Sequence, residues 1–511
     1  MPKTRPYLFY DVALSICSTC YRKVEAKTVF QDDNVYLLKR CPQHGSERVL
    51  IADDIDYYRR CREVFIKPPE MPQVYNTPVK WGCPYDCGLC TDHEQHSCLT
   101  LVEICDYCNL RCPVCYAASG PERQQFRTLA QIEKMLDAVV RNEGHPDVVQ
   151  LSGGEPTMHP DFFTVVALAK ARPIKHLMVN TNGIRIAQEE DFGKRLADVR
   201  EDFEIYLQFD SFEREPLIEL RGADLRRIRL DALEKLNRYN ISTNLVVTLK
   251  KGLNDHEIGK TIDFALQQPC IRGVTFQPIQ DAGRLESWIS DDHDGEVDFA
   301  GTPALPGAET LAATSPQTGR FVRNFNPATD RLTLTEVRRK ILQQTNVFRP
   351  EDVIPVPCHP DSLAMAYALK LKGKVIPLTS MIPPEVLING AANTILYEQD
   401  PAVRSNLFKL FATNHSPRSG AGSLRELLCC LPKVFVPDKI TYENVFRIII
   451  MQFIDAHSFD VRSVKKTCVH IVHPDGRLIP FDTYNLFYRD DLERARLAPL
   501  RQNAESALAP L

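Results

Sequence analysis

The reading of this chain turns on one stretch, Cys105-Asp-Tyr-Cys108-Asn-Leu-Arg-Cys112-Pro-Val-Cys115. Cys108, Cys112 and Cys115 have the spacing C-x3-C-x2-C. Four cysteines usually hold a [4Fe-4S] cube, so three leave one iron open to a small molecule. A zinc knuckle is the competing reading, because Cys-x2-Cys pairs commonly bind zinc. The residues downstream weigh against it. Val148-Val149-Gln150-Leu151 is a short apolar run of strand type, followed directly by Ser152-Gly153-Gly154-Glu155-Pro156. Glycines at the end of a strand let backbone approach a ligand closely. Glu155 sets a carboxylate where an ammonium group can pair. Gly-Gly-Glu alone occurs in many turns; on a strand roughly one βα unit beyond a cysteine triad, it is a strong joint signal.

The same alternation continues outward. Residues 99–102 lead into the cysteine loop as a first strand, and the second ends at Ser152. Residues 176–180, 205–210, 243–249 and 273–278 read as four more. Amphipathic stretches such as 128–140 and 225–239 separate most of them. Alternating strands and helices imply an α/β fold with a parallel sheet and right-handed crossovers. In parallel barrels the chemistry sits at the C-terminal strand ends. Polar residues gather there: the cysteine loop, Glu155, Asn180 and Asn182, Asp210 and Ser211, Thr248 and Lys250, Gln277 and Gln280. Asp210 is the best single candidate to contact a ligand, against an equal reading as a helix N-cap for the segment from Phe212.

Two further cysteine groups precede this region. The first is Cys17-Ser-Thr-Cys20, then Cys41-Pro-Gln-His44, then Cys61. Two knuckles can close one tetrahedral site of zinc or iron, with His44 or Cys61 as fourth ligand. The second, Cys83-Pro-Tyr-Asp-Cys87-Gly-Leu-Cys90, repeats the C-x3-C-x2-C spacing without a Gly-Gly-Glu strand of its own. It reads as an auxiliary cluster completed by Cys105 or Cys98; a second open-iron cluster is the alternative. Cys358, Cys429, Cys430 and Cys468 in the last third supply ligands for a further cluster, and His470 reads equally as a sheet residue.

The chain has 511 residues, 17 cysteines and a formal net charge of −4. That balance gives no general attraction to nucleic acid or anionic lipid. No stretch approaches the roughly 18 uncharged apolar residues of a membrane span. Met1 to Pro6 lacks the apolar core of a signal peptide. The expectation is therefore a cytoplasmic enzyme, with cysteines reduced and available to metal. The expected divisions are a metal ribbon at 1–75, cluster loops and barrel at 76–285, a flexible loop at 286–330, and a C-terminal α+β auxiliary domain at 331–511. Residues 333–345 and 400–413 read as helices, the second with Asp400 as N-cap and Pro401 in its first turn. Residues 469–488 read as a hairpin turning at Pro474-Asp475-Gly476, and 501–511 as an untethered tail.

The cysteine triad and the Gly-Gly-Glu strand together resemble the signature of radical S-adenosylmethionine (SAM) enzymes. That resemblance implies a partial (β/α)6 barrel and a [4Fe-4S] cluster whose open iron is chelated by the amine and carboxylate of SAM. It implies reductive cleavage of SAM to a 5'-deoxyadenosyl radical that abstracts hydrogen from an unreactive C–H bond. It places Val114, Tyr116, Ser152, Gly153, Gly154, Glu155, Asn182 and Asp210 at the cofactor, with Glu155 and Asp210 as the catalytic residues. The Cys-Pro-x-His-Gly ribbon, Gly-Cys-Pro-Tyr-Asp-Cys-Gly-Leu-Cys, Leu-Ser-Gly-Gly-Glu-Pro-Thr and the late Pro-Asp-Gly-Arg-Leu-Ile-Pro-Phe-Asp-Thr-Tyr-Asn resemble the archaeal tetraether synthase family and its bacterial relatives. Members of that group have also been described as 7,8-dihydro-6-hydroxymethylpterin dimethyltransferases. The resemblance implies two or three [4Fe-4S] clusters, a rubredoxin-like iron at Cys17, Cys20, Cys41 and Cys61 (or zinc there), and carbon–carbon bond formation at an sp3 carbon. The leading expectation is coupling of lipid chains. A C-methylation of a pterin is the alternative, and an iron–sulfur electron carrier or metal-ribbon interaction protein is a third class. The implied partners are a small-molecule or lipid substrate, an electron donor such as flavodoxin or ferredoxin, and a peripheral membrane contact.

Overall fold

The computed structural model describes residues 5–290, 319–371, 374–381, 384–389 and 444–508. The chain begins as a four-stranded antiparallel meander, β1 (Leu8–Ile16), β2 (Lys23–Gln31), β3 (Asn34–Cys41) and β4 (Gly45–Ala52), paired in that order. The period of two is plain in β3, where Val35, Leu37, Lys39 and Cys41 face inward. Helix α1 (Ile55–Glu63) follows, its first turn capped by Asp54, which accepts from the Tyr57 N–H at 2.8 Å. Buried Lys39 donates to the Ala456 carbonyl at 2.9 Å and pairs with Glu47 at 2.9 Å. The ribbon is thereby tied to the last third of the chain.

The central sheet holds β5 (Leu99–Cys105), β7 (Val148–Gly153), β8 (His176–Thr181), β9 (Phe203–Gln208), β10 (Thr243–Leu249) and β11 (Ile271–Pro278), all parallel and side by side in that order. The two-residue β6 (Val114–Cys115) lies in the cysteine loop and pairs with β12 (Arg284–Ser290), which in turn pairs with β13 (Gly319–Arg323). These are the six strands of the expected barrel. The C-terminal α+β segment lengthens the sheet at both ends. It contributes β14 (Ile354–Pro355), β15 (Leu363–Leu371), β16 (Lys374–Pro377), β17 (Val445–Met451), β18 (Val469–Val472) and β19 (Leu478–Pro480). β17 runs parallel beside β11, β18 runs parallel beside β5, and β15 closes antiparallel on β17. A parallel sheet covered on both faces needs strands that are apolar throughout, and every residue of β5 is buried.

Helices α2 (Leu129–Glu143), α3 (Phe162–Lys170), α4 (Ile184–Gln188), α5 (Glu190–Asp198), α6 (Arg214–Arg221), α7 (Arg226–Arg238), α8 (Ile258–Gln267) and α9 (Leu334–Gln344) connect the strands. α2 and α9 start in reciprocal capping boxes, Thr128 with Gln131 and Thr333 with Glu336. One strand face packs on the helices through Val102, Leu151, Val179, Leu207 and Val247. The opposite face, with Leu101, Met178, Tyr206 and Met451, encloses the interior. The hairpin β18–β19 turns where expected, with Gly476 at φ +95°. The expected untethered tail is instead a helix over Ala498–Leu508. Arg501 ties it down, donating to the Tyr85 carbonyl at 2.7 Å and lying over the Trp81 ring. The expected helix at Asp400 and Pro401 lies outside the described residues. Among those described, no helix is long and apolar enough to cross a membrane.

Candidate functional site

The C-terminal ends of the strands open into a cavity lined by Cys108, Cys112 and Cys115 on one side and Glu155 and Asn182 on the other. The cysteine loop is anchored from a strand the sequence reading did not single out. Arg284 donates to the carbonyls of Cys112 at 3.0 Å, Ala118 at 2.8 Å and Ser119 at 2.7 Å. Gly153 and Gly154 earn their place by close approach: a Cβ at Gly153 would overlap the Cys105 carbonyl oxygen, and one at Gly154 the Tyr107 carbonyl.

Glu155 is fully buried and fixed by four donors: the Thr157 N–H at 3.2 Å and hydroxyl at 2.5 Å, the Thr181 hydroxyl at 2.7 Å and the Asn182 N–H at 2.7 Å. Burial still raises its pKa above the ordinary carboxylate value, so a cationic ligand group is the missing counter-charge. Arg229, which sequence reasoning missed, lines the same cavity. It donates to the Asn182 carbonyl, while its Nε and one terminal nitrogen are buried without a hydrogen-bond partner. Desolvation lowers it to about 10. A carboxylate acceptor and a guanidinium with spare donors, its Nη2 held only at 3.7 Å by Asp210, fit the ammonium and carboxylate of an amino acid in one cavity. The cysteines fit a cationic cluster on similar grounds. Burial raises Cys108 and then the neighbouring Cys112 raises it further, a repulsion that bound metal removes.

Val114, Tyr116, Gly153 and Gly154 also line the cavity. Ser152 sits behind it and pairs with the Tyr116 hydroxyl at 3.1 Å. Asp210 corrects the sequence reading. It is wholly buried, and its carboxylate is taken up by Arg221 in a two-point bond at 2.7 and 2.6 Å and by the Thr248 N–H at 3.0 Å. Its φ of +67° is left-handed, unlike the extended backbone of an N-cap. Asp210 therefore anchors Arg221, and it is Arg221 that reaches the cavity and hydrogen-bonds Cys112.

The ribbon brings together Cys17, Cys20, Cys41 and His44. His44 Nδ1 lies 3.5 Å from both Cys17 Sγ and Cys41 Sγ, and Cys20 Sγ lies 3.9 Å from Cys41 Sγ. Tetrahedral zinc with bonds of about 2.3 Å to sulfur and 2.0–2.1 Å to nitrogen sets its ligands about 3.8 Å apart (S–S) and about 3.5 Å apart (S–N). These three separations match a tetrahedral zinc site. Burial opposes ionisation of Cys41, but the Gln43 and His44 N–H groups and the His44 ring bring it down to about 6. Cys61 is not a member: it points from α1 into the apolar core beside Tyr57. His44→Ala is expected to leave the purified protein with well under one zinc per chain while its iron content stays. Elemental analysis decides this, and iron in place of zinc in the unaltered protein would return the rubredoxin-like reading.

The loop of Cys83, Cys87 and Cys90 is folded by Asp86, which accepts from the N–H groups of Lys80, Trp81 and Gly82. A hydrogen bond with the Cys87 thiol, together with burial, raises Cys83. Neither expected partner joins them. Cys105 lies under the Gly-Gly-Glu turn, its thiol on the Tyr107 and Glu155 carbonyls at 3.5 and 3.4 Å. Cys98 meets Cys358 and Cys468 in a third, fully buried group, with 3.2 Å between the last two sulfurs. This trio joins the start of β5 and β18 to the segment after β14, near opposite ends of the strand order. Cys429 and Cys430 lie outside the described residues.

Residues 102–265 match the family model described as Radical SAM superfamily. The chain carries a radical SAM domain. Residues 9–53 match the HMPTM N-terminal zinc ribbon domain, in agreement with the Cys3His geometry. The enzyme is 28% identical over 516 residues to 7,8-dihydro-6-hydroxymethylpterin dimethyltransferase of Methanocaldococcus jannaschii, covering 96% of each chain. It is 25% identical over 264 residues to GTP 3',8-cyclase of Chlorobaculum tepidum, covering 47% of this chain and 76% of the relative. The crystal structure of Streptococcus suis SuiB aligns with a TM-score of 0.31 and 17% identity, over 37% of this chain and 41% of that one.

Proposed function

We propose that this enzyme is a radical SAM C-methyltransferase acting on a reduced pterin, with chain coupling of lipids as the displaced alternative. The carrying observation is the cavity lining. Gln150, Asn180, Gln208 and Gln277 offer amides, and Phe453 and Phe481 offer aromatic faces. A hydrocarbon tail would leave the buried Gln208 Oε1 without a partner, at a cost in free energy; a flat polar ring can donate to it. The relative that spans the whole chain carries a pterin in its name.

Cys108, Cys112 and Cys115 would hold a [4Fe-4S] cluster, which with SAM would supply radical chemistry at an unactivated carbon. The chain's own residues do the rest. Glu155, immobilised by its four donors, would take the methionine ammonium, and Arg229, whose Nε has no hydrogen-bond partner, would take the carboxylate. Asn182 fixes Glu155 from the backbone and joins the cysteine loop through Asn109, Nδ2 to Oδ1 at 2.7 Å. The stacked Phe453–Phe481 pair, with ring centroids 3.9 Å apart, keeps water from the reacting carbon. Cys83, Cys87 and Cys90 hold an auxiliary cluster in this reading, and Cys98, Cys358 and Cys468 ligate a further metal centre. Electrons come from a small redox protein of the flavodoxin or ferredoxin kind.

The test is a deletion strain of the host. Mass spectrometry is expected to show loss of a methylated pterin with lipids unchanged. Lost lipid coupling with pterins intact would return the reading to chain coupling.

A further inference from the structure

We infer that Gln208 and Gln277, with the Tyr206 hydroxyl, form the receptor for a 2-amino-4-oxopyrimidine edge on the substrate. This rests on the reading of the cavity as a heterocycle site and goes beyond it by assigning the residues that read the ring.

Tyr206 and Gln208 stand two apart on β9 and so project to the same, inner face. Gln277 comes from β11 and Asn180 from β8, and all four line the cavity. Their hydrogen bonds can be followed atom by atom. Gln208 Nε2 donates to Asn180 Oδ1 at 3.3 Å, and Gln277 Nε2 donates to the Tyr206 hydroxyl at 3.2 Å. Gln208 Oε1 is left buried with no partner at all. Buried carbonyls in folded proteins are nearly always satisfied, so an orphan on a cavity wall marks a place for a donor from outside.

Among the described residues that line the cavity, the charged ones are Glu155, Arg221 and Arg229, and none of them hydrogen-bonds Gln208 or Gln277. The acid and the guanidinium groups belong to the cysteine end, and the charges below it, Arg447 and Glu204, pair with each other. Neutral amides select a neutral ring carrying both donors and acceptors, because an amide offers one of each kind side by side. An amino group next to a ring nitrogen and carbonyl is that complement. Its N–H meets Gln208 Oε1, and the ring carbonyl meets the Gln277 amide and the Tyr206 hydroxyl. The edge occurs in pterins and in guanine nucleosides alike.

The experiment titrates the cluster-loaded protein in the presence of SAM, under anaerobic conditions, with three fluorescent or competing probes: 6-hydroxymethylpterin, guanosine and 6-hydroxymethyllumazine. The last has a carbonyl in place of the amino group. Gln208→Leu is expected to weaken pterin binding about tenfold, the range for removing one buried hydrogen-bond partner. Lumazine should bind the unaltered protein about tenfold more weakly than pterin, and Gln208→Leu should not weaken it further. Gln208→Met serves as the second variant. It also removes the 3.3 Å bond from Gln208 Nε2 to Asn180 Oδ1, so its melting temperature is measured beside its affinity to show that the variant is folded.

Pterin affinity within twofold of normal in a folded Gln208→Met protein would overturn the receptor. Tight guanosine binding with the same sensitivity to Gln208 would keep the receptor and move the substrate to the guanine class. If the unaltered protein bound neither pterin nor guanosine, the heterocycle reading itself would fall, and the receptor with it.

Discussion

Replacing Cys108, Cys112 and Cys115 together with alanine is expected to remove one cube's worth of iron and sulfide and to bring 5'-deoxyadenosine formation to background. The three thiols face one cavity with Glu155 and the paired Arg221, and among the described residues no other cysteine lines it. Since a cluster of this kind is held by cysteine thiolates, removing all three leaves nothing to retain it. Iron analysis and chromatographic detection of 5'-deoxyadenosine check both halves. Cys270→Ala is the control: that buried cysteine lies in the core away from every group, so its loss should leave iron and turnover at normal levels. Unchanged SAM cleavage in the triple variant would move the catalytic cluster to another cysteine group.

What was legible in the sequence was what local spacing can carry. The cysteine triad, the Gly-Gly-Glu strand and six strands of the barrel each lie within one short window, where period and turn residues speak directly. His44 was equally local. It lies three residues after Cys41, and the turn at Gly45, with φ +80°, closes the β3–β4 hairpin beside both ligands. Cys61 competes with it in sequence because a fourth thiolate completes a tetrahedral site as well as an imidazole does.

The rest depended on contacts between distant segments. Cys358 and Cys468 are 110 residues apart in sequence and 3.2 Å apart in space. β17 and β18 read as apolar runs of uncertain place until they are seen beside β11 and β5. The amides of Gln208 and Gln277 carry no motif at all. In sequence they are polar residues at strand ends, and only the unpaired Oε1 distinguishes Gln208.

Asp210→Leu is expected to destabilise the protein by about 3–5 kcal/mol, the cost of leaving a buried charge without its partner. The carboxylate is completely buried, the Arg221 side chain is 9% exposed, and Arg229 stands 3.7 Å away with 1% exposure. Two guanidinium groups would then share an apolar interior with no anion between them. Thermal and urea unfolding of the metal-loaded protein measure the loss. Adding Arg221→Leu to Asp210→Leu should recover part of it, because the second change removes one of the stranded charges; a double-mutant cycle reads that coupling.

The pH dependence has a fixed sign. Burial opposes ionisation of Asp210, but Arg221 and Arg229 outweigh it and hold the pKa below the ordinary value. The stability this group contributes is therefore present above the unfolded carboxyl pKa, near 3.9, and disappears as pH falls through the lower folded value. Asp210→Asn should flatten that acid limb while preserving side-chain volume. The same anchor orients Arg221 toward Cys112, so Asp210→Asn should also slow SAM cleavage and alter the cluster's spectrum, a change that mere loss of stability would not produce. An unfolding midpoint within one degree of normal for Asp210→Leu, with an unchanged cluster spectrum, would show that neither Arg221 nor the cysteine loop depends on this carboxylate.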